Sequence, residues 1–428
     1  MISIRPASPG PTRIRTRYSI PLQSNTTPIN CFRLGFGSVD RRRKMEWLRE
    51  LGLGLGCFME KRTKGLKVEA DSGGHNFFDS AAAEAKVPPD HLVIMVNGLI
   101  GSASDWRYAA EQFVKKFPDK VIVHRSECNS SKLTFDGVDL MGKRLAEEVL
   151  SVVRHRPELR KISFVAHSLG GLIARYAIGM LYEHSLKSDP SVLSENCLSE
   201  EHKDHSLQCH EQPYVAKIAG LEPINFITVA TPHLGSRGHK QLPLLCGLPF
   251  LEKRASQTAH LVAGRSGKHL FLTDNDDGKP PLLLQMANDS DDLKFISALS
   301  AFKRRVAYAN ASYDYIVGWS TSSIRRRDEL PQSNLLVTHD KYPHIVYVEQ
   351  KTNEDIDDKT SSTVGDQTID LEEELIRGLT QVQWERVDVS FHKSRQRYTA
   401  HNTIQVKSYW LNSDGADVVF HMIDNFLL

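Results

Sequence analysis

Residues 161–179 read KISFVAHSLGGLIARYAIG, an apolar strand pattern that ends at a His-Ser pair and resumes as an apolar helix. The AHSLG junction differs by one residue from the G-x-S-x-G nucleophile elbow, in which a serine lies on a strained strand-to-helix turn. Positions two before and two after that serine come close together, and the small Ala166 and Gly170 satisfy this requirement. The pattern predicts that Ser168 lies at the carboxyl edge of a sheet, where α/β folds bind ligands.

Further strand patterns alternate with helical patterns along the rest of the chain. The strand patterns lie at 91–98, 121–124, 225–231, 304–310 and 384–391, and the helical patterns lie at 105–117 and 137–156. Asp136 is the expected N-cap of the second helix. This alternation predicts an α/β fold with a mostly parallel central sheet flanked by helices.

Two polar insertions interrupt the alternation, near 185–213 and near 349–374. The second insertion carries ten acidic residues and little apolar content, which predicts a surface loop. The longest apolar runs are far too short to span a bilayer, so we expect no transmembrane helix.

The amino-terminal 70 residues differ in charge from the rest of the 428-residue chain. Residues 1–70 hold 14 Lys/Arg against 5 Asp/Glu, and the first acid is Asp40. An Arg- and Ser-rich leader without acids is typical of an organelle transit peptide, so we expect a transit peptide and flexible linker over 1–70 and one domain over 71–428. Composition alone leaves chloroplast, mitochondrion and cytoplasm open. The remainder of the chain is mildly acidic and lacks a basic stripe, which argues against nucleic-acid binding.

A serine nucleophile needs backbone amides that stabilise the oxyanion formed on attack. The amide of Leu169 follows the serine, and the segment VNGLIGSASDW at 96–106 offers the amide of Leu99 as a second donor. Asn97 and Gly98 end the preceding strand pattern, and Gly98 allows a close backbone approach. His167 is expected to support the turn rather than to act as the base.

A serine also needs a base that takes its proton and an acid that orients the base, in the chain order Ser, Asp or Glu, His. Asp314 follows the strand pattern at 304–310 and is the favoured acid; the competing carboxylates are Asp274, Asp276 and Asp277. His401, expected on a loop, is favoured as the base over His421 in the last helix. His233 breaks the chain order and is interpreted as a pocket wall.

Two other patterns are interpreted as structural. The spacing of His202, His205, Cys209 and His210 could bind zinc, but it lies in a polar insertion and is expected to be a solvated loop. GLGLG at 52–56 has no preceding strand, which disfavours a phosphate-binding loop. We therefore expect neither a metal nor an organic cofactor.

Five segments together resemble the eukaryotic putative serine esterase family, lipase-like α/β-hydrolases, with the plant branch nearest. They are VNGLIGSASDW, FVAHSLGGLIARYAIG, INFITVATPHLGSRG, HLFLTDNDDGKPPLL and YANASYDYIVGW. The resemblance covers roughly residues 90–428. It departs from related hydrolases at Asn97, where many have His, and at Ala166, where many have Gly. A plant relationship also favours a chloroplast address for the leader.

The resemblance implies an α/β-hydrolase fold and a mechanism with Ser168 as nucleophile, Asp314 as acid and His401 as base. It implies carboxylic esters of lipids, such as acylglycerols or phospholipids, as substrates, with possible peripheral contact to a membrane. An acyltransferase and a non-catalytic binding module with the same fold stay open. The apolar stretch 238–253 is interpreted as a lid or acyl-chain wall, with plain core as the alternative.

Overall fold

The structure is a computed structural model, and its described residues fall into several ranges. These are 68–70, 76–78, 88–185, 215–236, 263–275, 278–349 and 367–428. The chain divides into two units, Met1–Arg62 and Thr63–Leu428, and every described residue lies in the second.

Most of the described strands form one sheet with a parallel centre. The strands are β1 (Val68–Ala70), β2 (Asn76–Phe78), β3 (His91–Val96), β4 (Val121–Arg125), β5 (Lys161–His167), β6 (Tyr182–Ser185), β7 (Val215–Ile218), β8 (Glu222–Val229), β9 (Arg304–Asn310), β10 (Ile345–Glu349) and β11 (Glu385–Val389). Within the described ranges the main sheet has nine strands in the order β1-β2-β4-β3-β5-β8-β9-β11-β10, and β6 pairs with β7 separately. The strands from β4 to β11 in this order run parallel, and the pairs at both edges are antiparallel. The predicted mostly parallel sheet is confirmed.

Helices cover both faces of this sheet. The described helices are α1 (Arg107–Lys116), α2 (Val138–His155), α3 (Leu169–Leu181), α4 (263–270), α5 (Leu282–Gln285), α6 (Phe295–Ala301), α7 (Trp319–Ser323), α8 (Gln367–Leu379), α9 (Ala400–Thr403), α10 (Tyr409–Asn412) and α11 (Ala416–Asp424). Short 3-10 helices lie at Ala103–Trp106, Ser131–Phe135, Ser333–Leu335, Arg397–Thr399 and Ser413–Gly415.

The core consists of two apolar layers, one on each face of the sheet. Side chains of a strand alternate between its faces. In β3, Leu92, Ile94 and Val96 therefore pack with α2 and α3, while Val93 and Met95 pack with α1 and α11. Both faces are buried, which explains why the parallel strands are continuous apolar runs in the sequence.

The predicted strands at 91–98, 121–124, 161–167, 225–231, 304–310 and 384–391 all exist, with ends that move by up to three residues. The sequence analysis missed β1, β2, β6, β7 and β10. Strand β1 lies in the region that was predicted to be linker. All five of these strands belong to antiparallel pairs, at the sheet edges or in the β6–β7 pair. Strands β1, β2, β6 and β7 lack the apolar runs of the central strands, whereas β10 carries the run IVYV.

Two predictions about helices and insertions were wrong. Asp136 does not cap α2: the N-cap is Gly137, with φ of 101°, and the Asp136 carboxylate instead accepts a hydrogen bond from Arg144 at 2.6 Å. The insertion near 349–374 is not a loop over its whole length, because Glu349 ends β10 and α8 begins at Gln367. The residues between them, and those of the first insertion at 186–214, lie outside the described residues.

None of the described helices combines the length and the apolar character that crossing a bilayer requires.

Buried histidines in the sheet and in the last helix are held neutral. His91 at the start of β3 is 1% exposed, and its Nε2 lies 2.8 Å from the Ser163 hydroxyl. Burial lowers the pKa of His91 to about 3, and nearby Lys161 and Lys303 add to the effect. Burial likewise lowers the pKa of His421 to about 4. Protons therefore bind these rings more readily in the unfolded chain.

We expect the free energy of unfolding to fall as the pH decreases below 6.5, because the unfolded chain protonates His91 there and the folded chain does so only near pH 3. A His91→Gln variant should therefore lose about 1.4 kcal/mol less stability per pH unit than the wild type in this window. Urea denaturation between about pH 7 and pH 5 measures the two slopes. Equal slopes would contradict the burial argument.

Candidate active site

Ser168 occupies a strained turn between β5 and α3. It is the N-cap of α3 and has φ of 54° and ψ of −129°. Its amide donates to the Val229 carbonyl of β8 at 2.9 Å, and its carbonyl accepts from the Gly171 amide at 3.1 Å. A positive φ is costly for a non-glycine residue and persists only where the surroundings enforce it. This elbow at the carboxyl end of a central strand, within a mostly parallel sheet, confirms the predicted α/β-hydrolase fold.

Small residues at the elbow are required for a reason that differs from the prediction. A Cβ added to Gly170 would lie 2.6 Å from the carbonyl oxygens of both Val96 and Asn97 at the end of β3. Gly170 is therefore required because the end of β3 lies so close to it. The prediction had attributed the requirement for a small residue to the approach of Ala166. A Cβ on Gly98 would lie 2.8 Å from the Cβ of Ser168, so the loop after β3 touches the elbow directly.

The structure brings Ser168, His401 and Asp314 together in one hydrogen-bonded chain. The Nε2 of His401 lies 3.0 Å from the Ser168 hydroxyl, and its Nδ1 lies 3.0 Å from Oδ2 of Asp314. Because a carboxylate only accepts, Nδ1 carries the proton and Nε2 is left to accept from the serine. His401 lies in the short helix α9 and not on a loop as predicted. The three residues are 7% to 9% exposed.

The carboxylate of Asp314 is fixed by backbone and side-chain donors. Its Oδ1 accepts from the amides of Ile316 at 3.0 Å and Val317 at 2.9 Å, and its Oδ2 also accepts from Asn310 at 2.8 Å. Burial opposes ionisation, but the attraction to His401 and these hydrogen bonds outweigh it and lower the pKa of Asp314. The group is therefore an anion that can stabilise a protonated His401.

His167, which was predicted to support the turn, contacts the backbone of His401. Its Nε2 donates to the backbone carbonyl of His401 at 2.7 Å, and the two ring centroids are 4.6 Å apart. Burial, with repulsion from His401, lowers the pKa of His167 well below its usual value. A neutral His167 that donates from Nε2 holds one tautomer and fixes the neighbouring ring.

The loop after β3 forms a turn beside the elbow. The Gly101 amide donates to the Gly98 carbonyl at 3.0 Å, and Ile100 takes a left-handed φ of 56°. The Ile100 amide donates to the Thr134 hydroxyl at 2.9 Å. In the described part of the chain, the amides of Leu99 and Leu169 donate no hydrogen bond. Both are thus available to an external acceptor next to Ser168.

The buried side chain of Asn97 holds this turn in place. Its side-chain amide donates to the Asn129 carbonyl at 2.9 Å and to the Gly98 carbonyl at 3.2 Å, and the residue is 1% exposed. The sequence analysis named Asn97 but missed three polar residues that act in support of the site, namely Asn129, Thr134 and Asn310. Of these, only Asn310 carried a signal, because it ends the strand pattern four residues before Asp314.

Among the described residues, the alternative acid and base residues do not contact Ser168. The Nδ1 of His421 is 2.9 Å from the Tyr308 hydroxyl, in the core. His233 is not a pocket wall: it is fully buried, and its Nε2 pairs with Thr228 at 2.9 Å. Asp274 accepts from the Leu282 amide at 2.8 Å, at the start of α5.

Several predicted features lie outside the described residues. These are Asp276, Asp277, the histidine-cysteine group at 202–210, the apolar stretch 238–253 and GLGLG at 52–56. Among the residues that the structure does describe, no group of three or more His, Cys, Asp or Glu side chains could hold a metal ion.

The match to a known protein family covers the middle of the chain. Residues 86–324 match the model of the family described as putative serine esterase. Over 238 residues the chain is 32% identical to the putative lipase ROG1 of Saccharomyces cerevisiae, a match that covers 55% of this chain and 28% of that protein. Over 243 residues it is 28% identical to the putative lipase C4A8.10 of Schizosaccharomyces pombe, with 55% and 26% covered. The chain thus spans less than a third of the length of these relatives.

Among solved structures, one match is the carboxyl esterase 2 of the mycorrhizal fungus Tuber melanosporum. The sequence identity is 12%, the match covers 84% of this chain and 90% of that chain, and the TM-score is 0.35.

Because Ser168 has a positive φ, a glycine at this position should relieve backbone strain. We expect Ser168→Gly to unfold with a free energy about 1 kcal/mol higher than Ser168→Ala, which lacks the hydroxyl but keeps the Cβ. Chemical denaturation of the two variants is the measurement, and their difference removes the effect of losing the hydroxyl. A glycine variant less stable than the alanine variant would contradict the strain argument.

Proposed function

Because the chain belongs to the putative serine esterase family, we propose that it hydrolyses carboxylic esters of lipids through a covalent acyl-enzyme. The observation that carries the proposal is the hydrogen-bonded chain from the Ser168 hydroxyl through His401 to Asp314, with both distances at 3.0 Å. A hydroxyl paired with an oriented imidazole is the arrangement that activates serine as a nucleophile.

In the first half of the reaction, Ser168 Oγ attacks the ester carbonyl carbon while its proton passes to Nε2 of His401. The amides of Leu99 and Leu169 then hold the carbonyl oxygen, which becomes an oxyanion. The lowered pKa of Asp314 keeps its carboxylate charged next to the imidazolium. When the tetrahedral intermediate collapses, the bond to the alcohol oxygen breaks, and Nε2 gives its proton to the leaving alcohol.

In the second half, water attacks the acyl-enzyme carbonyl and gives a proton to Nε2 of His401. Collapse of the second intermediate releases the acid, and the proton returns to Ser168 Oγ. Each proton transfer uses Nε2 of His401, which lies 3.0 Å from the Ser168 hydroxyl, and the proposed cycle needs neither a metal nor an organic cofactor.

Lipid esters, such as acylglycerols or phospholipids, are the proposed substrate class. The relatives from two yeasts are described as putative lipases, which supports this choice. The plant branch of the family and a chloroplast address for the leader stay predictions from the sequence, with mitochondrion and cytoplasm as alternatives.

We expect a fluorophosphonate probe to label the wild type at Ser168 and to leave Ser168→Ala unlabelled. Asp314→Asn should lower kcat for a soluble nitrophenyl ester by about three to four orders of magnitude, because the imidazole loses its orienting anion. Ser104→Ala, which removes an exposed hydroxyl near the turn after β3, should react like the wild type. A folded wild type that the probe does not label would favour a non-catalytic binding module.

The same assay separates the two candidate bases. His401→Gln should abolish ester hydrolysis, whereas His421→Gln should keep it, because the His421 ring contacts Tyr308 and not Ser168. The reverse result would require a different active conformation.

An acyltransferase would use the same residues and replace water by an alcohol. We expect free fatty acid to be the main product when the enzyme acts on an ester in the presence of glycerol or a lyso-lipid. Product analysis by mass spectrometry measures the ratio, and a dominant transfer product would overturn hydrolysis in favour of acyl transfer.

A further inference from the structure

The segment that carries His401 differs in charge from the domain around it. Residues 391–412 contain Lys393, Arg395, Arg397 and Lys407 and no acidic residue, whereas residues 71–428 as a whole hold 40 Lys/Arg and 47 Asp/Glu. Lys407 is paired with Asp105 at 3.2 Å. The other three basic residues, Lys393, Arg395 and Arg397, all precede α9 in the sequence.

Two exposed segments on either side of α9 contact each other. Gln396 accepts from the Asp414 amide at 3.0 Å through its side-chain oxygen, and its side-chain nitrogen lies 3.1 Å from the Ser413 hydroxyl. Asn412 also donates to the Thr403 hydroxyl of α9 at 3.0 Å. The Ser394 hydroxyl also donates to the Asp414 carboxylate, so the segment before α9 is tied to residues 413–414, which directly follow α10. We call residues 393–398 and 409–411 the basic aromatic surface, and Asp414 lies between its two segments.

The apolar side chains of this surface face outward. Trp410 is 88% exposed and Leu411 is 59% exposed, whereas Trp106 and Trp384 are buried. Tyr409 stacks on Tyr108 with ring centroids 4.9 Å apart, which fixes the short helix α10. Trp410 therefore faces outward from an anchored helix. Its contact with water is unfavourable, and burial of the indole against a partner would be favourable.

Two of the basic residues of the surface are exposed, and the third contacts an aromatic ring. Lys393 and Arg395 are exposed and form no ion pair with the described residues. The Arg397 guanidinium lies 4.7 Å from the Tyr398 ring centroid, and Tyr398 is 62% exposed. Exposed Trp and Tyr side chains, with cations that form no ion pair on a neighbouring segment, match the headgroup region of a bilayer that contains anionic lipid.

We propose that the basic aromatic surface docks this protein on a lipid bilayer that contains anionic phospholipid. Trp410 and Leu411 enter the headgroup boundary, and Lys393 and Arg395 contact the lipid phosphates. The proposal rests on the proposed function, because docking here would bring the His401 end of the site to the membrane that holds its ester substrates. A bilayer fits better than a nucleic acid, since the most exposed side chain of the surface is an apolar indole on an otherwise acidic domain.

The test uses the full chain with Ser168→Ala, so that no lipid is consumed, and vesicles of phosphatidylcholine with or without about one third phosphatidylglycerol. We expect binding in co-sedimentation only with the anionic vesicles, a blue shift of tryptophan fluorescence, and weaker binding at high salt. Adding Lys393→Glu and Arg395→Glu should weaken binding by about tenfold or more. Trp410→Ala should weaken it by about tenfold.

The matched control is Val337→Ala, which truncates a 68% exposed apolar side chain before β10 and should bind like the parent. No binding to either vesicle, or equal effects of Trp410→Ala and Val337→Ala, would overturn the proposal. If neither type of vesicle binds, a protein becomes the alternative partner for this surface. Equal binding to both vesicle types would overturn the assignment to anionic lipid.

Hydrolysis of a soluble short-chain ester separates this inference from the proposed function. Trp410→Ala in the otherwise wild-type chain should hydrolyse that ester at the parent rate and lose about tenfold on ester substrates in anionic vesicles. Normal hydrolysis without vesicle binding would overturn the docking alone. Vesicle binding by a chain that hydrolyses no ester would overturn the proposed function alone.

Discussion

The site depends on how closely the end of β3 approaches the turn that holds Ser168. The carbonyl oxygens of Val96 and Asn97 occupy the space where any side chain at position 170 would begin, and Gly98 presses on Ser168 itself. This contact fixes the elbow from one side, while the hydrogen bond from Ser168 to β8 fixes it from the other. The positive φ of Ser168 is thus imposed by two neighbouring strands.

The remaining members of the site come from distant parts of the chain. Ser168 and His401 are far apart in sequence, with α3 to α8 between them, yet their side chains lie 3.0 Å apart. Parallel strands make this possible because β5, β9 and β11 all end at the same edge of the sheet, and the loops that follow them meet there.

Much of this organisation could be predicted from the sequence. The central strands are apolar on both faces and are therefore visible as uninterrupted runs, and the chain order Ser, Asp, His selected residues that the structure does bring together. The short edge strands β1 and β2 carry no such run, whereas β10 carries the run IVYV and was nevertheless not predicted. The capping of α2 was mispredicted because the carboxylate of Asp136 found a guanidinium partner instead, which a sequence pattern cannot show.

The contacts that orient the site were harder to foresee for a physical reason. The Asn129 carbonyl accepts from the Asn97 side chain, and the Thr134 hydroxyl accepts from the Ile100 amide. Both contacts join residues far apart in sequence, and such contacts leave no periodic pattern. The hydrogen bond from His167 to the His401 carbonyl is of the same kind. It ties the main chain of α9 to the residue directly before the serine. The proposed nucleophile and its base are therefore mechanically linked, and little reorganisation of the protein would be needed when an ester arrives.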